Sequence, residues 1–100
     1  MSGLLDGKVA IVTGGSKGIG YSIAERFTKE GAKVIICSRN ESELSDASSK
    51  IGCDFYQLDV SDSKGVKAMM SWFSDKYDNL DILVNNAGLI RPGKISDTTE

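Results

Sequence analysis

Short apolar runs alternate with helix-patterned segments along this 100-residue chain, and this alternation restricts the fold more than any other feature. The runs are rich in β-branched or aromatic residues and are too short for helices; they span residues 9–12, 34–37, 55–58 and 82–84. Between them, apolar residues recur at helical spacing, as in Val66, Met69, Met70, Phe73 and Tyr77. The order β-α-β-α-β-α-β predicts a parallel sheet covered by helices on both faces, with right-handed crossovers.

Length and composition indicate one ordinary globular domain over residues 1–100, without repeats or linkers. Hydrophobic residues make up 40% and charged residues 26%, and the net charge is −2. A nucleic-acid-binding module would carry a basic patch or stripe, so we predict no nucleic-acid partner. The absence of histidine excludes a histidine triad, a His-ligated zinc site and a histidine general base within this chain.

The sequence predicts a soluble, cytoplasmic protein with no membrane partner. No apolar run approaches the roughly 20 residues that a transmembrane helix needs. Residues 1–8 lack the hydrophobic core of a signal peptide. Cys37 and Cys53 show no CxxC spacing and fall in or beside apparent core segments, so we interpret them as reduced, packed thiols. We predict no metal site.

A glycine-rich segment follows the first predicted strand and opens the first predicted helix. Its glycines Gly14, Gly18 and Gly20 form the pattern GxxxGxG, which is not the generic GxGxxG fingerprint because Ser16 interrupts it. Glycines between a strand and a helix let the backbone approach a pyrophosphate, and the helix N-terminus offers free N–H groups. The alternative is a purely structural role, in which the glycines form a tight turn that binds no ligand. A P-loop is excluded because no GK[ST] follows at the required spacing.

The end of the second predicted strand distinguishes NADP from NAD. An NAD site usually has an acidic residue about 20 residues after the glycines, bonded to the ribose 2′-hydroxyl. This chain has Ser38, Arg39 and Asn40 there, and Arg39 can contact a 2′-phosphate or stack on adenine. Lys17 adds a second positive charge. We therefore favour NADP over NAD; the alternative is that both cations are solvated surface residues.

Two further segments end predicted strands and would lie at the same edge of the sheet. Asp59 and Val60 follow the third strand, where the carboxylate can accept from the adenine amino group or can simply cap the next turn. Asn85 to Gly88 follow the fourth strand, where small residues leave room for a cofactor ribose and an Asn side chain can tie adjacent strands. Ligands of doubly wound sheets bind at the carboxyl ends of the strands.

Together these segments resemble the classical short-chain dehydrogenase/reductase family over essentially the whole chain. Four motifs match in order: residues 5–8 (Leu-Asp-Gly-Lys), residues 13–20 (Thr-Gly-Gly-Ser-Lys-Gly-Ile-Gly), Asp59-Val60, and residues 85–88 (Asn-Asn-Ala-Gly). The resemblance implies an α/β fold, a Rossmann-like doubly wound parallel sheet with strand order 3-2-1-4 in this segment. The segment 37–40 is similar to that of NADP-preferring members.

The resemblance also implies roles for individual residues in cofactor binding. The pyrophosphate would be held by the glycine segment, at Gly14, Ser16, Lys17, Gly18, Ile19 and Gly20. The 2′-phosphate would be held by Ser38 and Arg39, and the adenine by Asp59 and Val60. The ribose side would be bordered by Asn86, Ala87 and Gly88.

The implied reaction is hydride transfer between nicotinamide and a carbonyl or secondary alcohol of a small-molecule substrate. The resemblance also implies that the full-length protein forms dimers or tetramers. Family members are much longer, and their catalytic Ser and Tyr-x-x-x-Lys follow the Asn-Ala-Gly motif. None of Tyr21, Tyr56 and Tyr77 has a lysine four positions later, so we predict no catalytic residue in this chain.

We therefore expect a longer native protein, in which Thr98 to Glu100 begin a further helix. The segment alone is expected to be inactive, to bind NADPH weakly and to associate through an exposed fourth strand. The alternative is a short, non-catalytic nucleotide-binding or interaction module.

Overall fold

The computed structural model describes residues 3–86, in which strands and helices alternate as the sequence predicts. The elements are β1 (Val9–Thr13), α1 (Gly18–Lys29), β2 (Lys33–Ser38), α2 (Glu41–Ile51), β3 (Asp54–Gln57), α3 (Ser63–Lys76) and β4 (Ile82–Asn85). Every predicted apolar run forms a strand.

The strands form one parallel sheet in the order β3-β2-β1-β4. Within it, Val12 of β1 pairs with Ile36 of β2 on one side and with Val84 of β4 on the other. This confirms the predicted α/β fold, a Rossmann-like doubly wound sheet with strand order 3-2-1-4.

Two apolar clusters, one on each face of the sheet, hold the helices in place. Successive residues of a strand point to opposite faces. Ile36 therefore packs with Ala24 of α1 and Leu44 of α2, whereas its neighbour Ile35 packs with Phe73 of α3. Burial on both faces explains why the central strands are apolar throughout and do not alternate with polar residues.

The predicted element ends are accurate where a local signal marks them. The sequence predicts a helix N-terminus at Asn40, since Glu43 follows three residues on, and Asn40 does cap α2: its Oδ1 accepts the Glu43 N–H at 3.1 Å. Gly31 follows α1 with φ of 96°, a conformation that ends the helix. The third strand ends at Gln57 and does not include Leu58, which the sequence placed in it. The Leu58 N–H donates to the Ser38 carbonyl at 2.8 Å, and its side chain is buried in the apolar cluster that contains Phe73 of α3.

The parallel order places the carboxyl ends of all the strands at one edge of the sheet, which we call the carboxyl edge. Thr13, Ser38, Gln57 and Asn85 are the last residues of β1, β2, β3 and β4. Between residues 3 and 86, no helix is long and apolar enough to cross a membrane. Within the same range, no group of three or more His, Cys, Asp or Glu side chains could hold a metal ion.

Candidate functional site

The loop between β1 and α1 lies against the end of β2 at the carboxyl edge. The Gly14 N–H donates to the Cys37 carbonyl at 2.7 Å. Gly14 and Gly18 have φ of 69° and 65°, in the left-handed region that favours glycine. A Cβ at Gly18 would meet no heavy atom within 4 Å, so open space lies in front of the backbone there.

Gly20 has a different role, because it lets α1 approach the loop closely. A Cβ at this position would lie 2.2 Å from the Gly14 carbonyl oxygen and 2.9 Å from Nδ2 of Asn86. The helix therefore begins directly against the loop and the end of β4. Its N-cap residue, Lys17, makes no side-chain capping bond, and its first turn contains no acidic residue. The positive end of α1 thus has no compensating carboxylate in its own first turn.

One cavity at this edge has a volume of about 810 Å³, and we name it the phosphate cavity after the group that we propose it binds. It is lined by residues of the glycine loop, the end of β2 and the start of α2: Gly14, Ser16, Lys17, Ser38, Arg39, Asn40 and Glu43. A second cavity of about 360 Å³, named the adenine cavity for the same reason, is lined by Cys37, Ser38, Arg39, Leu58, Asp59, Val60 and Ser61. Ser38 and Arg39 line both, so the end of β2 separates two adjoining spaces.

Several donors at the phosphate cavity have no acceptor among residues 3–86. The Arg39 guanidinium makes no hydrogen bond or ion pair with these residues. Its positive charge acts only at a distance, by lowering the pKa of the Asp59 carboxyl. The Ser38 Oγ accepts the Asn40 N–H at 3.3 Å, but its own proton has no acceptor in that range. Ser16 Oγ makes no hydrogen bond in the same range. Such unpartnered donors around an open cavity suit a multiply charged phosphate.

Lys17 and Glu43 face each other at the phosphate cavity. The Lys17 Nζ lies 3.7 Å from Oε2 of Glu43, and the two side chains are 78% and 41% exposed. Sequence reasoning named Lys17 but overlooked Glu43 as a cavity residue. Its spacing from Asn40 indicated only a helix cap, and nothing local indicates which way its carboxylate turns.

Asp59 lines the adenine cavity and also caps its own turn. Its Oδ1 accepts the Ser61 N–H at 2.9 Å and the Ser61 hydroxyl at 2.7 Å. These hydrogen bonds, together with the positive charge of Arg39, hold the pKa of the Asp59 carboxyl below its usual value. The turn-capping alternative is thus observed, while Oδ2 accepts no hydrogen bond from residues 3–86. Val60 is 42% exposed beside it.

Thr13 joins β1 to the end of β4, a role that the sequence analysis expected of an asparagine side chain. The Thr13 hydroxyl lies 3.2 Å from the Val84 carbonyl oxygen and 3.1 Å from Oδ1 of Asn85, and it accepts the Asn86 N–H at 2.9 Å. Asn85 contributes through its side chain and Asn86 through its backbone. No local sequence signal distinguishes Thr13, because the role depends on a strand pair far apart in the chain.

Not all predicted site residues line the two cavities. Gly18 and Ile19 border a different, apolar cavity of about 580 Å³ along α1, with Ile23 and Phe27. Gly20 and Asn86 pack against each other behind the loop. Ala87, Gly88 and the predicted helix start at 98–100 lie outside the described residues.

Comparisons with known proteins agree with this geometry. The sequence model of a family described as short chain dehydrogenase matches residues 8–100. Short-chain dehydrogenase reductase 3a of Arabidopsis thaliana is 42% identical over an alignment of 102 residues, which covers 97% of this chain and 40% of that protein. The NADP-dependent (R)-specific alcohol dehydrogenase of Lentilactobacillus kefiri is 40% identical over 103 residues, covering 99% of this chain and 41% of that protein.

A solved structure is similar as well. The Pseudomonas aeruginosa RhlG/NADP active-site complex superposes with a TM-score of 0.80 at 37% identity. The match covers 85% of this chain and 36% of that one. The chain thus spans about two fifths of the length of these relatives.

Proposed function

The chain belongs to the short-chain dehydrogenase family, and from that premise we propose that it forms the cofactor-binding part of an NADP(H)-dependent oxidoreductase. The observation that carries this proposal is the position of Arg39, whose unpaired guanidinium lines both cavities at the end of β2. An NAD site usually has a carboxylate at this place to hold the ribose 2′-hydroxyl. A guanidinium there favours a 2′-phosphate.

The two cavities fit the adenine half of the dinucleotide. The 2′-phosphate would be bound by Ser38 and Arg39, with Lys17 lining the same cavity. The adenine would lie between Arg39 and Val60, with its amino group donating to Asp59. The pyrophosphate would lie along the glycine loop, near the N-terminus of α1. By resemblance to the family, we propose that the pyrophosphate is held by Gly14, Ser16, Lys17, Gly18, Ile19 and Gly20, and that the ribose side is bordered by Asn86, Ala87 and Gly88.

The bound cofactor would supply hydride exchange with a carbonyl or a secondary alcohol of a small-molecule substrate. This chain's own residues would bind and orient the adenine half but would not move the proton. Tyr77 donates a hydrogen bond to Asp54 at the start of β3, away from the carboxyl edge, and burial raises its pKa to about 12. We therefore propose that the chain by itself is inactive. From the sequence and the family resemblance, we also propose that the whole protein is a cytoplasmic dimer or tetramer.

Isothermal titration of the 100-residue chain with NADPH and NADH tests this function. We expect NADPH to bind more tightly, and replacement of Arg39 by Ala to weaken NADPH binding about tenfold or more through loss of charge-assisted hydrogen bonds. NADH binding should weaken less, because NADH loses only the contact of Arg39 with the adenine and has no 2′-phosphate to lose. Lys67→Ala is the control, because Lys67 is exposed on α3 and lines neither cavity. Equal affinity for both dinucleotides, or no effect of Arg39→Ala beyond that of the control, would contradict the proposal.

A further inference from the structure

We propose that Glu43 limits the preference for NADP(H), acting as a specificity-determining residue that lines the phosphate cavity together with Arg39 and Lys17. The inference rests on the proposed function. Its basis is that a carboxylate lines the same cavity as the cations that would receive the 2′-phosphate. The cavity is therefore lined by two cations that attract this phosphate, Lys17 and Arg39, and by one carboxylate that repels it, Glu43.

This carboxylate is paired with Lys17 of the glycine loop. Oε2 of Glu43 lies 3.7 Å from the Lys17 Nζ, joining the start of α2 to the glycine loop. A phosphate bound in this cavity would compete with Glu43 for the Lys17 ammonium group. Arg39 has no comparable partner among residues 3–86.

The helix cap shows that the carboxylate is not needed for capping. In a complete capping box, the carboxylate of the third helical residue accepts the N–H of the cap residue. Here the Asn40 N–H donates to the Ser38 Oγ at 3.3 Å instead. The capping of α2 uses the Glu43 backbone N–H, which Asn40 Oδ1 accepts at 3.1 Å. The Glu43 side chain is therefore directed to Lys17, and Gln can replace it without losing the cap.

Electrostatics predict that this carboxylate discriminates between the two dinucleotides. NADP(H) differs from NAD(H) by a phosphate of about two negative charges, placed in the cavity that Glu43 lines. A carboxylate several ångströms away opposes such a group even in high dielectric, whereas it has no charge to oppose on a 2′-hydroxyl. The pair itself is exposed, so breaking it costs little stability.

The test compares Glu43→Gln with Glu41→Gln by calorimetric titration of NADPH and NADH. Both substitutions remove one negative charge from the first turn of α2 and lose the same favourable interaction with the helix dipole. Only Glu43 lines the phosphate cavity, which makes Glu41 a matched control. We expect Glu43→Gln to tighten NADPH binding about fivefold relative to the control, with NADH unchanged. High salt should reduce the gain, because this cavity is open to solvent.

The other outcomes overturn the inference in distinguishable ways. If the wild-type chain prefers NADPH but Glu43→Gln equals the control, Glu43 does not set specificity, and the proposed function remains. Equal gains for both dinucleotides would place the effect of Glu43 at the pyrophosphate. A loss of NADH affinity without a gain for NADPH would make Glu43 a ribose ligand of NAD. If the wild-type chain binds neither dinucleotide, the proposed function fails together with the inference.

Discussion

At the scale of single residues, burial determines what the two cysteines can do. Cys37 lies fully buried in β2, and this burial raises the pKa of its thiol to about 12. Cys53 is half-buried, and burial together with the nearby Asp54 raises the pKa of its thiol to about 11. Both are free thiols, which matches their interpretation as packed, reduced residues. Neutral thiols are poor nucleophiles.

We therefore predict slow labelling of both cysteines by iodoacetamide in the folded chain, with Cys53 reacting before Cys37. Mass spectrometry of timed samples measures the order, and labelling in urea provides the control in which both react. Rapid modification of Cys37 under native conditions would show that β2 opens readily or is less buried than described.

The same pKa shifts predict loss of stability in alkali. The folded-state pKa of Cys37 is about 12, above its ordinary value of 9.0, so the folded state favours the protonated thiol. As pH rises above 9.0, the unfolded chain loses this proton first and becomes relatively favoured. The stabilisation is complete below pH 9.0 and is lost progressively towards pH 12. Urea unfolding at neutral pH and at about pH 10 should show this decrease; an equal midpoint would contradict it.

At the scale of elements, the sequence predicted what depends on periodicity and local capping. The apolar runs gave the strands, and Asn40 gave the start of α2, because both signals lie within a few residues. The orientation of the Glu43 carboxylate and the role of Thr13 could not be predicted. Each depends on a partner brought near by the sheet: Lys17 in one case and the end of β4 in the other.

The contact between α1 and the glycine loop gives the prediction at this scale. An Ala at Gly20 would place its Cβ 2.2 Å from the Gly14 carbonyl oxygen, so the helix or the loop must move. We expect Gly20→Ala to cost about 1–3 kcal/mol of stability and to abolish NADPH binding. Gly52→Ala is the control, since a Cβ at Gly52 meets nothing within 4 Å, and its only strain comes from the left-handed backbone of Gly52, which Gly20 does not share. It should cost about 1 kcal/mol and leave binding intact.

Urea unfolding and calorimetric titration of both variants measure these two effects. Normal NADPH binding by Gly20→Ala would show that the close contact of α1 with the loop is unnecessary for the site. Loss of binding in both variants would attribute the effect to stability alone.

At the scale of the whole molecule, large apolar side chains are exposed on the edge strand β4 and on helix α1. Leu83 of β4 is 60% exposed and Ile19 of α1 is 72% exposed. Between residues 3 and 86, β4 pairs with β1 alone. Unpaired apolar strand edges promote association, so we predict that the 100-residue chain associates with rising concentration. Sedimentation velocity should detect this, and Leu83→Lys should reduce it; a monodisperse wild-type monomer would contradict it.

If the glycine loop and the end of β2 bind the adenine half of NADP(H), a fragment of that half should perturb both. Amide chemical shifts of the ¹⁵N-labelled chain, titrated with adenosine 2′,5′-bisphosphate, measure this. We expect the largest shift changes in three segments, at 14–18, 38–40 and 59–61. Shifts confined to the apolar cavity near Ile23 and Phe27, or none in the three segments at saturating ligand, would contradict it.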